Sequence, residues 1–111
     1  MTTALQCAIE AGDQALTAEV MPPRGADPSH MLAMAALLQG RVHALNVTDG
    51  SRAVMRMSSV AACRLLLEAG AEPVLQLACR DRNRIALQAD LLGAHALGIR
   101  NLLCLLSLIH I

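Results

Sequence analysis

A helical pattern followed by a glycine and then by an apolar run recurs along the chain, and this repeat constrains the fold more than any other feature. It is present in "AALLQGRVHALNVT", "LLLEAGAEPVLQLAC", "AHALGIRNLLCL" and "AIEAGDQALTAEV". A glycine just past a helix end takes the left-handed conformation without a Cβ clash. Four helices are therefore predicted to end at Gly12, Gly40, Gly70 and Gly98. The apolar runs that follow are nearly continuous, as is typical of parallel strands covered on both faces.

Within two of these units the apolar residues keep the spacing of one helical face. They are Met31, Met34, Ala35 and Leu38 in one unit, and Ile85, Ala89, Leu92 and Ala96 in another. Intervals of about three and four residues predict amphipathic helices. We interpret Met31 and Met34 as core residues of the helix that is predicted to end at Gly40.

The distances between predicted strand ends indicate the architecture. The strands are predicted to end at Glu19, Thr48, Cys79 and about Leu105, which places one strand every 26 to 31 residues. A (β/α)8 barrel of about 250 residues has one β/α unit per about 31 residues. The sequence thus predicts an α/β fold, with four parallel β/α units forming about half of a (β/α)8 TIM barrel after a short helix. A small doubly wound sheet is the alternative, although no GxGxxG or GxxxxGK[ST] follows any strand.

Composition excludes several functions. The chain contains no lysine, so a Walker lysine, a Schiff-base lysine and a lysine general base are all excluded. Aromatic residues are absent and the formal net charge is zero. Single-stranded nucleic acids stack on aromatic side chains and are attracted to basic surfaces. We therefore expect no nucleic-acid partner.

Cysteine and histidine positions indicate neither a metal site nor a disulfide framework. The cysteines are widely spaced and form no CxxC pair, and the histidines form no local cluster. We expect buried or half-buried free thiols at Cys7, Cys63, Cys79 and Cys104. The first residues are too polar for a targeting peptide, and no apolar run reaches the roughly 18 residues of a membrane span. The expectation is a cytoplasmic protein without membrane contact.

Glu19 is the first candidate for chemistry, because it lies where the first predicted strand ends. Working residues of parallel α/β folds lie just beyond the C-terminal ends of the strands. Pro22 and Pro23 follow and favour a stiff, extended exit from the strand. Glu19 is therefore a candidate general acid. The alternative is a carboxylate that is solvated or paired with Arg24.

The loop after the second strand gives a second candidate. Asp49 and Gly50 are ordinary turn-forming residues, and a simple turn is one interpretation. The functional interpretation is that Thr48 and the loop amides hydrogen-bond to a planar or phosphorylated ligand.

The loop after the third strand, "CRDRNR", is open to three interpretations. Asp81 is predicted to cap the next helix, leaving Arg80, Arg82 and Arg84 as a solvated basic turn. Phosphate binding is the alternative, and RNA binding is a weaker third.

Three passages together resemble the methylenetetrahydrofolate reductase family. They are "AEVMPPRGADP", "LNVTDGSRAVMRMSSVAAC" and "EPVLQLACRDRNRIALQADLLGAHALGIRNLLCL", and the resemblance runs over about residues 16–105. It implies a (β/α)8 barrel that binds FAD at the C-terminal face of its strands. In that family NAD(P)H reduces the flavin, which passes a hydride to 5,10-methylenetetrahydrofolate. The product, 5-methyltetrahydrofolate, serves methionine synthesis.

The resemblance also implies roles for individual residues. Glu19 would be the catalytic acid that helps to open the folate ring. The cofactor-binding positions would be Thr48, Asp49, Gly50, Ser51 and Gln76. No residue is assigned to a metal.

The chain departs from the family's pattern at three places. Ala18, Val20 and Met21 surround Glu19 where the family's familiar wording has phenylalanines, and Gln76 stands where the family often has histidine. The Gly-Asp that follows the family's fourth strand is replaced by Ser107 and Leu108.

These departures, and the length of the chain, lead to expectations about its organisation. Residues 1–105 are expected to be the N-terminal part of a reductase-like barrel, and residues 106–111 a tail that is not native. The parent protein would be the enzyme, with a folate as its substrate and its oligomeric state left open. The fragment alone is expected to be inactive and to self-associate. The alternatives are a non-catalytic α/β module that associates through exposed strand edges, and another barrel enzyme of one-carbon metabolism, such as a methyltransferase.

Overall fold

The computed structural model describes residues 2–106, which form a short helix, three complete β/α units and a fourth strand. The helices are α1 (Ala4–Glu10), α2 (Ser29–Leu38), α3 (Ser59–Glu68) and α4 (Arg84–Ala96). The strands are β1 (Thr17–Val20), β2 (Ala44–Val47), β3 (Pro73–Ala78) and β4 (Asn101–Leu105). A 3-10 turn covers Ser51–Ala53. The predicted strand ends are therefore correct to within one residue. Ser107 and Leu108, and most of the tail predicted to be non-native, lie outside the described residues.

All four strands are parallel and lie in one sheet in the order β1-β2-β3-β4. Each strand is thus adjacent to the strand that follows it in sequence. A doubly wound sheet reverses its strand order at a switch point, whereas a (β/α)8 barrel adds its strands in sequential order. The observed order confirms four consecutive strands of a β/α barrel and excludes the doubly wound alternative for this sheet.

The glycines predicted to end the helices are confirmed, because Gly12, Gly40, Gly70 and Gly98 all have positive φ. Gly70 shows why no other residue suits this position. Its φ is +89°, and an added Cβ would lie 3.1 Å from the side-chain nitrogen of Gln39. Gln39 Nε2 in turn donates a 3.0 Å hydrogen bond to the Gly70 carbonyl, which joins the ends of α2 and α3.

The hydrophobic core lies between the helices and one face of the sheet. Its strand residues include Leu45, Val47 and Leu75, which pack with Ala62 and Leu66 of α3. Because strand side chains alternate between the two faces, Glu19, Asn46 and Gln76 belong to the opposite face. Every residue of β3 is buried, as its nearly continuous apolar sequence predicts.

Two predicted helical faces differ from the observed ones. Met31 and Ala35 of α2 are buried, but Met34 is exposed, so its assignment to the core is wrong. On α4 the apolar stripe faces outward, with Ile85 72% and Leu92 75% exposed. Ala94 is the buried residue of α4, because this helix packs through its small side chains. Spacing therefore identified the helix but not its buried side.

The four cysteines are free, and only one is buried. Cys63 lies in the core between α3 and the sheet, and burial raises the pKa of its thiol to about 12. The expectation of buried or half-buried thiols is wrong for the others, since Cys7, Cys79 and Cys104 are exposed. Cys104 is exposed because β4 is the last strand of the described sheet and has a neighbour on one side only.

Helix α1 lies at the end of the sheet where the strands begin. The Glu72 carboxylate accepts hydrogen bonds from the Ala4 and Leu5 amides, at 2.8 and 3.0 Å. Thr3 caps the same helix end and donates to Asn101 Oδ1 at 3.0 Å. A carboxylate at a helix N-terminus is favoured by the unpaired amides and the helix dipole. These contacts leave the opposite end of the sheet uncovered by α1. Among the described residues, no helix is long and apolar enough to cross a membrane.

Candidate functional site

The loops that leave the C-terminal ends of the strands meet at one edge of the sheet. Beyond β1 and β2, the Thr48 amide donates to the Val20 carbonyl at 3.4 Å. Beyond β3 and β4, the Cys79 amide donates to the Leu105 carbonyl at 2.9 Å. Parallel pairing thus continues to the ends of the strands and brings the predicted site residues to the same edge.

Glu19 is the penultimate residue of β1 and is paired in the sheet with Asn46 of β2. Its side chain is exposed, and within residues 2–106 it forms neither a hydrogen bond nor an ion pair. Pairing with Arg24 is therefore absent from the structure. The carboxylate borders a cavity of about 390 Å³ that Arg56 and His30 also line.

The loop after Glu19 is held by the following loop. Arg56 Nη1 donates to the Pro22 carbonyl at 2.9 Å, and the Met57 amide donates to the Pro23 carbonyl at 2.7 Å. Pro22 itself is fully buried. The double proline therefore forms the stiff exit that the sequence predicts. Arg56, which sequence reasoning missed, fixes it from the neighbouring unit.

Thr48 and Gln76 are neighbours across β2 and β3. The last ladder pair is Val47 with Leu75, so Thr48 and Gln76 each follow one residue later. Thr48 is 2% exposed and Gln76 is 6% exposed. Thr48 Oγ1 and Gln76 Oε1 have no hydrogen-bond partner in the described part of the chain. Buried polar groups are nearly always hydrogen-bonded, so these two oxygens are candidates for contact with a ligand.

Asp49 is more than a turn former, because its carboxylate binds the end of β3. Asp49 Oδ2 accepts a 2.8 Å hydrogen bond from the Ala78 amide. Both terminal nitrogens of Arg82 also donate to this carboxylate, Nη1 to Oδ2 and Nη2 to Oδ1 at 3.1 Å. The pair is largely shielded from solvent, with the Arg82 side chain 17% and the Asp49 side chain 11% exposed.

Arg82 extends this contact to α4 and to the main chain. Its Nη1 donates to the Ala78 carbonyl at 2.8 Å, and its Nε donates to Asp90 Oδ2 at 2.9 Å. The hydrogen bond that Arg82 donates to Asp49 raises the pKa of Arg82; desolvation by burial acts against this, and Asp90 adds to the rise. We call Asp49, Arg82 and Asp90 the carboxylate clamp.

The clamp corrects the interpretation of the basic turn. Arg80 and Arg84 are exposed, as expected of a solvated turn, but Arg82 is half-buried and fully paired. Asp81 does not cap α4. It is exposed, pairs with Arg80 at 2.7 Å and has a positive φ of 64°. Asn83 is the observed cap, since its Oδ1 accepts from the Ala86 amide at 2.8 Å.

Gly50 lines the cavity beside the clamp, and Ser51 is the next residue of the same loop. Gly50 has a φ of 62°, and Ser51 begins the 3-10 turn, which the Ala53 amide closes by donating to the Gly50 carbonyl at 2.9 Å. A cavity of about 400 Å³ lies between this loop and the loop after β3. The predicted cofactor-binding residues thus lie together, with Glu19 one strand away.

Metal binding has no support in residues 2–106, where no three His, Cys, Asp or Glu side chains are grouped closely enough to hold an ion. The polar groups of the site are instead hydroxyl, amide and carboxylate oxygens. Such groups bind and orient an organic ligand and can transfer a proton.

The family model described as methylenetetrahydrofolate reductase matches residues 4–107. The match covers nearly the whole chain and includes every candidate site residue. No curated protein matches the chain.

Proposed function

The chain belongs to the methylenetetrahydrofolate reductase family, and from this premise we propose that it forms part of a flavin-dependent oxidoreductase of folate metabolism. The proposed reaction reduces 5,10-methylenetetrahydrofolate to 5-methyltetrahydrofolate, with NAD(P)H as the reductant and FAD as the cofactor. Methionine synthesis would use the product. The observation that carries this proposal is the meeting of Glu19, Thr48 and Gln76 at one edge of the sheet.

The residues present fit a flavin. The isoalloxazine ring carries hydrogen-bond donors and acceptors along its pyrimidine edge. Thr48 offers a hydroxyl that donates or accepts, and Gln76 offers an amide oxygen without a partner. We propose that Thr48, Gly50, Ser51 and Gln76 hold the cofactor. When bound, the flavin supplies the hydride-transfer chemistry that no side chain can provide.

Asp49 has a different place in this proposal from the one that the resemblance implies. Both oxygens of its carboxylate are engaged by Arg82, and one also accepts from the Ala78 amide. Its contribution to cofactor binding would therefore come from its main chain and from the position that it gives to its neighbours.

We assign to Glu19 the role of general acid. Opening the five-membered ring of the folate requires a proton at the departing nitrogen, and a positioned carboxylic acid is suited to deliver it. The Glu19 carboxylate is free of protein partners within the described residues and borders a cavity. The exit held by Pro22 and Arg56 fixes the backbone that carries it.

The structure also bears on how much of the enzyme this chain provides. Leu102, Leu103 and Cys104 of β4 are exposed, and β1 and β4 are the two outer strands of the sheet. A closed barrel has no outer strands. We propose that residues 1–105 are the N-terminal part of a longer barrel and that this part alone is inactive. The exposed free thiols suit a reducing compartment, so we place the protein in the cytoplasm.

A second candidate function rests on the same exposed strand. A non-catalytic α/β module would use β4 to pair with another chain, because an uncovered apolar edge strand is a template for association. The two candidates differ in their prediction for flavin binding, since such a module has no need of unpaired oxygens at Thr48 and Gln76.

Flavin binding separates the two candidates. The purified chain is titrated with FAD, and quenching of flavin fluorescence measures binding, with riboflavin as a second ligand. Saturable binding that Thr48→Val and Gln76→Leu weaken supports the reductase proposal. The non-catalytic module is supported if the chain does not bind FAD even at high FAD concentration and forms dimers that a Leu103→Lys substitution dissociates. For the reaction, a longer form that completes the barrel is assayed for methyltetrahydrofolate production with NADH and with NADPH.

A further inference from the structure

The carboxylate clamp takes the place of sheet hydrogen bonds where β2 ends before β3. The ladder between the two strands stops at the pair of Val47 and Leu75, whereas β3 continues to Ala78. The amide and the carbonyl of Ala78 would have no partner from β2. Asp49 accepts from the Ala78 amide and Arg82 donates to its carbonyl, both at 2.8 Å. Two side chains thus extend the pairing past the last residue of β2.

The clamp lies next along the chain to the two residues that carry the unpaired oxygens. Thr48 directly precedes Asp49, and Gln76 lies two residues before Ala78 on the same strand face, about 7 Å along the strand. Arg82 holds Asp49 through two nitrogens, and its Nε is anchored on Asp90 of α4. Because bidentate Arg–carboxylate pairs fix direction as well as distance, neither strand end can rotate without breaking the clamp.

The clamp positions the side chains of Thr48 and Gln76 for a ligand and not for packing in the core. The core residues of β2 and β3 point toward the helices, whereas Gln76 belongs to the opposite face. Neither Thr48 Oγ1 nor Gln76 Oε1 contributes a hydrogen bond to the described protein. Of the four buried side-chain atoms without a partner among the described residues, these two belong to the strand ends that the clamp joins.

We propose that Asp49, Arg82 and Asp90 are positioning residues that hold Thr48 and Gln76 ready for the planar ring of the cofactor. This inference rests on the proposed function for the identity of the ligand, but not for the action of the clamp. None of the three residues needs to touch the cofactor through its side chain.

The test uses the full chain and two conservative variants. Arg82→Lys keeps the positive charge but loses the planar guanidinium that donates through two nitrogens. Asp49→Asn keeps an acceptor for the Ala78 amide but loses the negative charge. Arg64→Lys is the matched control, because Arg64 also bonds a carboxylate and a carbonyl, those of Glu68 and Leu97, away from the site. Three quantities are measured for each protein: the melting temperature, the FAD dissociation constant, and the NMR signal of the Gln76 side-chain amide.

The proposal expects a shifted and broadened Gln76 amide signal, and FAD binding at least about tenfold weaker, in both clamp variants and not in the control. If the melting temperature falls while the Gln76 signal and the FAD affinity stay those of the wild type, the clamp only stabilises the sheet and the proposal is overturned. If the wild-type chain binds no FAD, the proposed function fails for this chain. In that case the NMR signal of the Gln76 side-chain amide alone tests the positioning role of the clamp. A signal that is the same in the wild type and in both clamp variants overturns that role.

Discussion

Glu19 and Thr48 lie at the same end of the sheet, because the Thr48 amide hydrogen-bonds at 3.4 Å to the carbonyl of Val20, the residue after Glu19. Within residues 2–106, neither the Glu19 carboxylate nor the buried Thr48 hydroxyl has a hydrogen-bond partner. Barrel enzymes carry their working residues at the C-terminal ends of the strands, where both of these residues lie. The first prediction follows from this position of Glu19.

Replacing Glu19 by Gln should separate the two half-reactions of the proposed enzyme. The substitution keeps the size of the side chain but removes the proton that opens the folate ring, and general acids contribute about 100-fold to 10,000-fold to a rate. In a longer form that contains a complete barrel, folate reduction should fall by at least about 100-fold. Reduction of the flavin by NAD(P)H should change by less than about threefold, because that step needs no acid at this position.

Stopped-flow absorbance of the flavin measures both steps separately. Glu68→Gln is the control, since Glu68 is an exposed acid on α3 and bonds only Arg64 among the described residues. Equal loss of both half-reactions in Glu19→Gln would show that the residue supports the cofactor and does not act as an acid.

Replacing Gln76 by Leu should make the free protein more stable and its cofactor binding weaker. A buried oxygen without a partner costs about 1 to 3 kcal/mol, so removing it should raise the free energy of unfolding by about 1 kcal/mol. The same change removes a ligand group and should weaken FAD binding about tenfold. Denaturant unfolding and fluorescence titration measure the two effects.

The matched control for this prediction is Asn101→Leu. Asn101 is an amide on the neighbouring strand whose side chain accepts from Thr3 and donates to the Pro73 carbonyl at 3.3 Å. Its removal should lower stability without changing FAD affinity. A Gln76→Leu protein that loses stability as the control does would mean that Gln76 has a structural partner in solution.

The architecture could be predicted from sequence because its signals are local. Each of Gly12, Gly40, Gly70 and Gly98 takes a positive φ whatever its distant neighbours are, and the interval between strands fixes the size of the unit. The buried face of α4 could not be predicted in the same way. Ile85 and Leu92 have the spacing of a core face, but the side that is buried depends on which elements pack there, and Ala94 packs instead.

The candidate site was predicted in part, for a similar reason. Glu19 and Thr48 were identified because strand ends mark the working edge of a parallel fold. The special position of Arg82 could not be identified, because the three arginines of "CRDRNR" cannot be distinguished in the sequence. Asp49 and Asp90 become its partners only after β2, β3 and α4 are assembled. The sequence contains one signal for the pair of Asp49 and Arg82, namely an aspartate after one buried strand and a basic turn after the next strand.

Thiol labelling should distinguish one cysteine from the other three. Cys7, Cys79 and Cys104 are exposed, whereas Cys63 is buried in the core. At neutral pH a disulfide reagent such as DTNB should modify three thiols of the native chain rapidly, and the fourth only after denaturation. Mass spectrometry of the labelled peptides identifies the sites. Rapid native labelling of Cys63 would mean that the contact between α3 and the sheet opens readily.

The stability of the chain should fall in alkali because of Cys63. Burial raises the pKa of this thiol from its ordinary value of 9.0 to about 12, so the folded state keeps a proton that the unfolded state loses. The contribution is fully present below about pH 9 and is lost as the pH rises toward about 12, with a slope of up to about 1.4 kcal/mol per pH unit. The chain contains no lysine or tyrosine, so few other side chains titrate in this range. Urea unfolding at several pH values should show the decline in the wild type and in Cys7→Ala, but not in Cys63→Ala. A decline that persists unchanged in Cys63→Ala would assign the effect to another group.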